Sequence, residues 1–428
     1  MKFFALFVIF SGILFSLPGK GGNRVPEFLD WIKRFSNEAC QAEIRGEKAI
    51  ENLIGSYGSD ILKGKVKINI SSNQFSFLHK KWGEIKVGKV IRRGKHTVTQ
   101  VQVNSLSPKG VLPKFLLRLD TKCQIILARE LIYFSDGRLN SLNHLDASLK
   151  KITSTELMNP PVPKWFNRSK VRVAHIDTGI NYLLKGVFER LARNERGEII
   201  GWDFWEEDPF PFDIDFPRSP FFPIRHGTAV ASVFLREAPN ASIAPYRYPR
   251  KTMQKFSKIF DALAIANLKI VMLPMGSRSH KDWKEFRKMA LKHSEILFIV
   301  SAGNDGVNID EEPLFPASFS LKNMIVVTSS NNFGKLAKGS NWGKNSVDLM
   351  VPAERVEVID HRGVKMKASG SSYAVPRIAA LAARLWSKNP KWTINEIKKA
   401  VFDLAVKPLM RGGKRVRMGW IPNPLENY

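Results

Sequence analysis

From about residue 165 onward the chain repeats one pattern: an apolar run long enough for one strand stops at a polar residue, and small residues follow. "VRVAHIDTGI" runs into Asp177, and "ILFIVSAGNDG" runs into Asn304. Strand-like runs alternate here with helical ones, and strands joined through helices form a mostly parallel sheet. Ligands of such sheets bind beyond the carboxyl ends of the strands, where these two residues fall. "FFPIRHGTAVASVFL" adds His226 at the start of a helical run, and "GSSYAVPRIAALAARL" sets two serines ahead of another. In the latter, Ala374, Ile378, Leu381 and Leu385 follow helical spacing and alanines fill the other faces. That predicts a buried helix with the serines in its first turn. Pro376 is expected near its start, where backbone N–H groups have no intrahelical acceptor.

The first third reads differently. Residues 24 to 55 place Phe28, Ile32, Phe35 and Ala39 at helical spacing, whereas 65 to 145 hold short strand-like runs such as "KVKINI" and "HTVTQVQVN". The proline-rich stretch "MNPPVPKWFNRSK" marks a boundary near 160. A smaller α+β domain (20–160) is therefore expected ahead of an α/β domain (161–428). The opening "MKFFALFVIFSGILFSLPGKGG" has a lysine, an apolar stretch from Phe3 to Leu17, then Pro18 and glycines, the pattern of a secretory signal peptide over 1–19. Its apolar run is shorter than a usual membrane span, and an uncleaved anchor is the alternative. No later run is long and apolar enough to cross a bilayer. The expected destination is outside the cell or in the periplasm or cell envelope. There Cys40 and Cys123 can form a disulfide, the alternative being two unrelated buried thiols.

Lysine and arginine outnumber aspartate and glutamate by 67 to 39, giving a net charge of +28, while 44% hydrophobic residues exclude a disordered chain. Such a surface attracts polyanions or serves solubility alone. An anionic polymer is thus a candidate partner. No nucleic-acid motif accompanies the charge, so no specific nucleic acid is expected.

Asp177, His226 and Ser372 together suit acyl transfer. A serine hydroxyl needs a neutral imidazole to accept its proton, and the imidazole needs a carboxylate to fix its tautomer. Asn304 and the Ser372 N–H would supply donors for the oxyanion. Singly, each has a plainer reading: Asp177 as a turn aspartate, His226 as a surface histidine, Asn304 as a left-handed turn residue. His175, two residues before Asp177 on the same strand face, competes for the base role.

At these residues the chain resembles the subtilisin-like serine proteases, the subtilases. Asp177-Thr178-Gly179 matches the family's aspartate block, "HGTAVA" from His226 its histidine block, Ala302-Gly303-Asn304 its oxyanion block, and "GSSYAVP" its nucleophile block. The likeness covers roughly residues 165 to 405. It implies a three-layer α/β fold and an exported, monomeric serine endopeptidase acting on polypeptides through an acyl-enzyme. Asp177, His226 and Ser372 would be catalytic, with Asn304 in the oxyanion hole. Met275, Gly276, Ala302 and Gly303 would bind substrate. The family carries no functional residue at the position of His175, which favours His226 as base. Ser371 occupies a position ordinarily held by threonine, and its loss is expected to leave most activity.

The resemblance implies no redox or organic cofactor and no catalytic metal, though calcium often stabilises subtilases. Glu206, Glu207, Asp208, Asp213 and Asp215 are the candidate oxygen ligands, with a solvated loop beside the cleft as the alternative. Residues 20–160 stand where many subtilases carry a removable prosegment, a retained accessory domain being the other reading. Three departures stand out: Ala229 replaces a structural histidine, Pro274 a serine of the substrate-binding strand, and Arg377 a common histidine. The competing function is a catalytically degenerate protein of this fold that binds peptides or anionic envelope polymers.

Overall fold

The computed structural model describes residues 26–426 apart from 70–73, 93–94, 108–109, 166–168, 170, 218, 250–251 and 408–414. Residues 1–19, where a signal peptide is expected, lie outside the described residues. By its contacts the chain separates into two units, one up to Ile132 with Leu142–Glu156, the other Tyr133–Ser141 with Leu157 onward. Among the described residues no helix is long and apolar enough to cross a membrane.

The first unit begins with α1 (Pro26–Arg45) and α2 (Glu47–Ser56). Phe28, Ile32, Phe35, Ala39 and Cys40 of α1 are buried at the spacing of one helix face. Eight antiparallel strands follow: β1 (Ile61–Asn69), β2 (Gln74–His79), β3 (Gly83–Arg92), β4 (Lys95–Ser107), β5 (Gly110–Leu119), β6 (Ile125–Tyr133), β7 (Leu139–Leu145) and β8 (Ile152–Leu157). They pair in chain order. Phe75, Phe77, Ile85, Val87, Val101, Val103, Phe115 and Leu117 alternate onto one buried face. Phe28 and Phe35 of α1 meet Phe115 and Phe77 edge to face, with ring centroids 5.4 and 5.5 Å apart. Cys40 of α1 is disulfide-bonded to Cys123 in the β5–β6 turn.

The second unit is an α/β sandwich. Its strands are β9 (Val171–Asp177), β10 (Trp202–Asp203), β11 (Ala241–Arg247), β12 (Ile270–Leu273), β13 (Leu297–Ser301), β14 (Met324–Ser330), β15 (Leu349–Pro352), a β16–β17 hairpin (Val356–Ile359 and Lys365–Ala368) and β18 (Gly419–Trp420). The helices are α3 (Lys185–Phe188), α4 (Gly227–Glu237), α5 (Phe256–Ile265), α6 (Lys284–Lys292), α7 (Ser371–Lys388) and α8 (Ile394–Asp403). The main sheet runs β10-β11-β9-β12-β13-β14-β15-β18 with every pairing parallel. α4, α7 and α8 pack on one face. α5 and α6 pack on the other. The parallel sheet agrees with the alternating runs, and the three layers with what the resemblance implies. Covered on both faces, strands such as β12 and β13 read as near-continuous apolar runs. β9 lies between β11 and β12, so the strand order reverses there, and its carboxyl end is a topological switch point. Asp177 is its last residue.

α7 is buried along most of its length, as the alanine filling predicts. Pro376 is the sixth helical residue, past the first turn in which it was expected to cost least. Only the first four N–H groups of a helix lack intrahelical acceptors, so Pro376 deprives the Ser372 carbonyl of its helical donor. Arg377 is explained by a buried ion pair. Its Nε donates to Glu237 Oε1 (3.0 Å) and Oε2 (3.2 Å) on α4, and its Nη1 to the Pro352 carbonyl at 2.6 Å.

Candidate active site

Two glycines bring the aspartate and histidine segments together. Gly179 has φ +99°, and a Cβ there would lie 2.3 Å from the Phe212 carbonyl oxygen. A Cβ on Gly227 would lie 1.9 Å from the Gly179 carbonyl oxygen and 3.2 Å from Asp177 Cβ. Only glycine at both positions lets the start of α4 sit against the end of β9. The contact is tied by Thr178, whose Oγ1 accepts from the N–H of Gly227 at 2.9 Å and donates to Asp213 Oδ1 at 2.6 Å. Asp213 also accepts from the backbone N–H of His226 (3.2 Å) and of Thr228 (2.9 Å).

His226, the residue before α4, is thereby placed with Nδ1 2.9 Å from both carboxylate oxygens of the fully buried Asp177. Two further donors hold that carboxylate. The Thr178 N–H donates to Oδ1 at 2.7 Å, and His175 Nε2 lies 3.2 Å from Oδ2. Burial alone would raise the Asp177 pKa, but the two imidazoles more than offset it and hold the group well below the ordinary carboxylate range. Burial alone would lower His226, yet Asp177, and behind it Asp213 and Asp215, push its pKa above the ordinary imidazole value.

Ser372 occupies the first turn of α7 and is 9% exposed. Its Oγ donates to the Pro274 carbonyl at 3.3 Å, and the ring of the next residue, Tyr373, lies 6.3 Å from that of His226. No hydrogen bond joins Ser372 Oγ to His226 in this rotamer among the described residues. Asn304 is linked to the same helix end. Its Oδ1 accepts from the Ser371 N–H at 2.8 Å and from Ser371 Oγ at 3.0 Å. A Cβ on Gly370, at φ +139°, would come within 3.2 Å of that oxygen. With Oδ1 engaged, the donor end of the Asn304 amide is the end left for a ligand.

Of the substrate-segment residues, Gly276 and Gly303 meet around one side chain. Leu314 Cδ2 would be 3.1 Å from a Cβ on Gly276 and 2.8 Å from one on Gly303. Met275 is partly buried and Ala302 fully buried, both in the hydrophobic cluster under the α5–α6 face. Pro274, lacking an N–H, offers its carbonyl to Ser372. Ala229 is partly exposed on α4.

The acidic loop is spoken for by protein donors. Asp208 bonds Arg138 and Asn159, Asp213 bonds Thr178 and Thr228, Asp215 bonds Tyr248, and Glu207 pairs with Lys255. Glu206 lies 4.0 Å from Arg247. Among the described residues no group of three or more histidines, cysteines, aspartates or glutamates is gathered to hold a metal.

Sequence reasoning missed the supporting residues Thr178, Asp213 and Ser301. Thr178 is visible only as part of Asp-Thr-Gly, and the other two carry no local signal. Ser371, expected to be dispensable, is fully buried and bonded to Ser301 Oγ (2.7 Å) and the Gly303 carbonyl (3.0 Å) as well as to Asn304. His175, set aside as a rival base, touches the Asp177 carboxylate instead.

Comparison with known proteins identifies the family. The model of the Subtilase family matches residues 168–420. Subtilisin-like protease 2 of Plasmodium falciparum is 24% identical over 246 residues, which cover 52% of this chain and 17% of that protein. The thermostable alkaline protease of Halalkalibacterium halodurans is 26% identical over 159 residues, covering 36% of this chain and 42% of that protein. The chain thus spans less than half the length of either relative. A solved cold-adapted subtilisin-like serine proteinase aligns over 63% of this chain and 95% of its own, at 20% identity and a TM-score of 0.49. Since the family model covers more than half of its length, the chain belongs to the subtilase family of serine proteases.

Proposed function

We propose that this protein is an exported serine endopeptidase that hydrolyses peptide bonds through an acyl-enzyme formed on Ser372. One observation carries the reading: His226 Nδ1 faces both oxygens of a buried carboxylate, while Ser372 lies in the first turn of α7, whose next residue, Tyr373, has its ring 6.3 Å from that of His226. The reading requires Ser372 Oγ to leave the Pro274 carbonyl and turn toward His226 Nε2, and catalytic hydrogen bonds of this kind commonly tighten only with substrate bound. His226 then takes the hydroxyl proton as Ser372 Oγ attacks the peptide carbonyl carbon. Asp177 holds the Nδ1–H tautomer and stabilises the imidazolium. The oxyanion receives the Asn304 amide and the Ser372 N–H, one of the first four of α7 and so without an intrahelical acceptor. His226 returns its proton to the leaving amine, and water repeats the sequence on the ester. No step calls for a metal.

The first unit is read as a prosegment removed on maturation. Amino-terminal sequencing of the secreted protein tests this: a start near 160 agrees, and a start near 20 means a retained domain. For the activity itself, an unfolded protein substrate should be cleaved by the natural chain. It should survive the variants Ser372→Ala and His226→Ala. Equal cleavage by all three would overturn the reading in favour of a degenerate binding protein.

A further inference from the structure

The interior of β9 holds an imidazole where an aliphatic side chain would be less costly. His175 is 1% exposed and lies opposite Pro245 of β11 and Met272 of β12, on the face that packs against α4 and α7. A buried polar ring costs stability unless it is hydrogen-bonded. His175 has one such bond, Nε2 to Asp177 Oδ2 at 3.2 Å, while its Nδ1 has no partner among the described residues. A carboxylate oxygen accepts, so Nε2 must carry the hydrogen. The unpartnered Nδ1 is then a bare lone pair, less costly to bury than an unpartnered N–H.

We propose that His175 is a positioning residue for the reaction: its Nε2–H donates to Asp177 Oδ2 and, with the Thr178 N–H on Oδ1, fixes the carboxylate so that both oxygens face His226 Nδ1. The inference rests on the endopeptidase reading above. Each oxygen has one lateral donor, at 2.7 and 3.2 Å, and His226 stands at 2.9 Å from both. A neutral donor on the anion also moderates its pull on the imidazolium proton, so removing it should strengthen that pull and raise the pKa of His226.

The other charged or titratable groups around His226 are Asp213, Asp215 and Tyr373, with His361 3.9 Å from Asp213. On α4 and α7, Arg236, Arg377 and Arg384 are engaged with Glu237, and α7 ends at Lys388. On β11, Arg247 is paired with Asp203. Asp177 is the titratable group in contact with His175.

The test compares the natural residue with H175L, which removes the donor, and H175Q, whose terminal amide restores one. In full-length protein carrying Ser372→Ala, the titration of His226 is followed by NMR with labelled histidine. In parallel, kcat/KM is measured against pH in protein with Ser372 intact. In H175L the His226 midpoint and the acid limb should both rise by about 0.5 to 1 pH unit, and neutral-pH kcat/KM should fall about 3- to 10-fold. H175Q should recover most of both. An unmoved midpoint in H175L, or an H175Q protein that matches H175L at equal Tm, would overturn the proposal.

If neither variant folds, the nitrogen shifts of His175 in the unsubstituted chain decide. A protonated Nε2 with bare Nδ1 agrees, and the opposite tautomer contradicts it. A natural chain that cleaves nothing would instead fail the endopeptidase reading, and the His226 titration would still report on His175.

Discussion

Ser371 and Asn304 are joined twice, through the Ser371 N–H and the Ser371 hydroxyl, both to Asn304 Oδ1 at 2.8 and 3.0 Å. The same hydroxyl reaches Ser301 Oγ and the Gly303 carbonyl, so one small side chain pins the strand end that carries Asn304 to the helix that carries Ser372. Replacing Ser371 by alanine should therefore lower kcat about 2- to 10-fold, the worth of one net hydrogen bond, and leave KM nearly unchanged. Threonine at 371 should retain activity. Steady-state kinetics on a peptide substrate checks both.

Asn304→Ala removes the amide donor itself. The expected loss is on the order of 10² to 10³ in kcat, a magnitude taken over from the corresponding donor in subtilisin. The variant also loses the acceptor for the buried Ser371 N–H, so it should be less stable by about 1 to 3 kcal/mol in urea unfolding. A kcat within a factor of about 3 of the natural chain would assign the oxyanion to other donors.

The pH profile follows from the sign of the His226 shift. Catalysis needs the neutral imidazole, and Asp177 with Asp213 and Asp215 raises the pKa above the ordinary value against the effect of burial. Activity is therefore lost as pH falls through a midpoint above about 6.5. Asp213→Asn removes one of these charges and should move the acid limb of kcat/KM downward. A limb that moved upward would contradict the electrostatic account.

Glu237 and Arg377 form a buried pair between α4 and α7, the helices that begin beside His226 and at Ser372. Removing one partner strands the other charge, and Arg377→Met should destabilise the fold by roughly 3 to 5 kcal/mol in urea unfolding. The double replacement of both partners by apolar residues should be far milder. Equal losses in the single and double variants would mean that the pair does not act as a unit.

The layered fold and the positions of Asp177, His226, Asn304 and Ser372 were legible because each lies at a strand end or helix start that local periodicity reveals. What supports them was not. Thr178 and Asp213 are 35 residues apart, Ser301 and Ser371 are 70 apart, and Glu237 and Arg377 are 140 apart. Each pair is set by how two distant segments dock, which no spacing rule encodes. The start of α7 at the serines agrees with the sequence, but Pro376, as its sixth residue, lies past the four N–H groups that lack intrahelical acceptors. The composition of the acidic loop left a calcium site and a solvated loop both open, and the protein partners of its carboxylates are set by distant residues such as Arg138 and Tyr248.

The central claim is that Ser372 is the activated alcohol of a peptidase. Mass analysis after treatment with a fluorophosphonate tests it most directly. The account predicts one covalent adduct, located on the peptide containing Ser372 and lost in Ser372→Ala and His226→Ala. An unlabelled folded protein, or label on another residue, would contradict it.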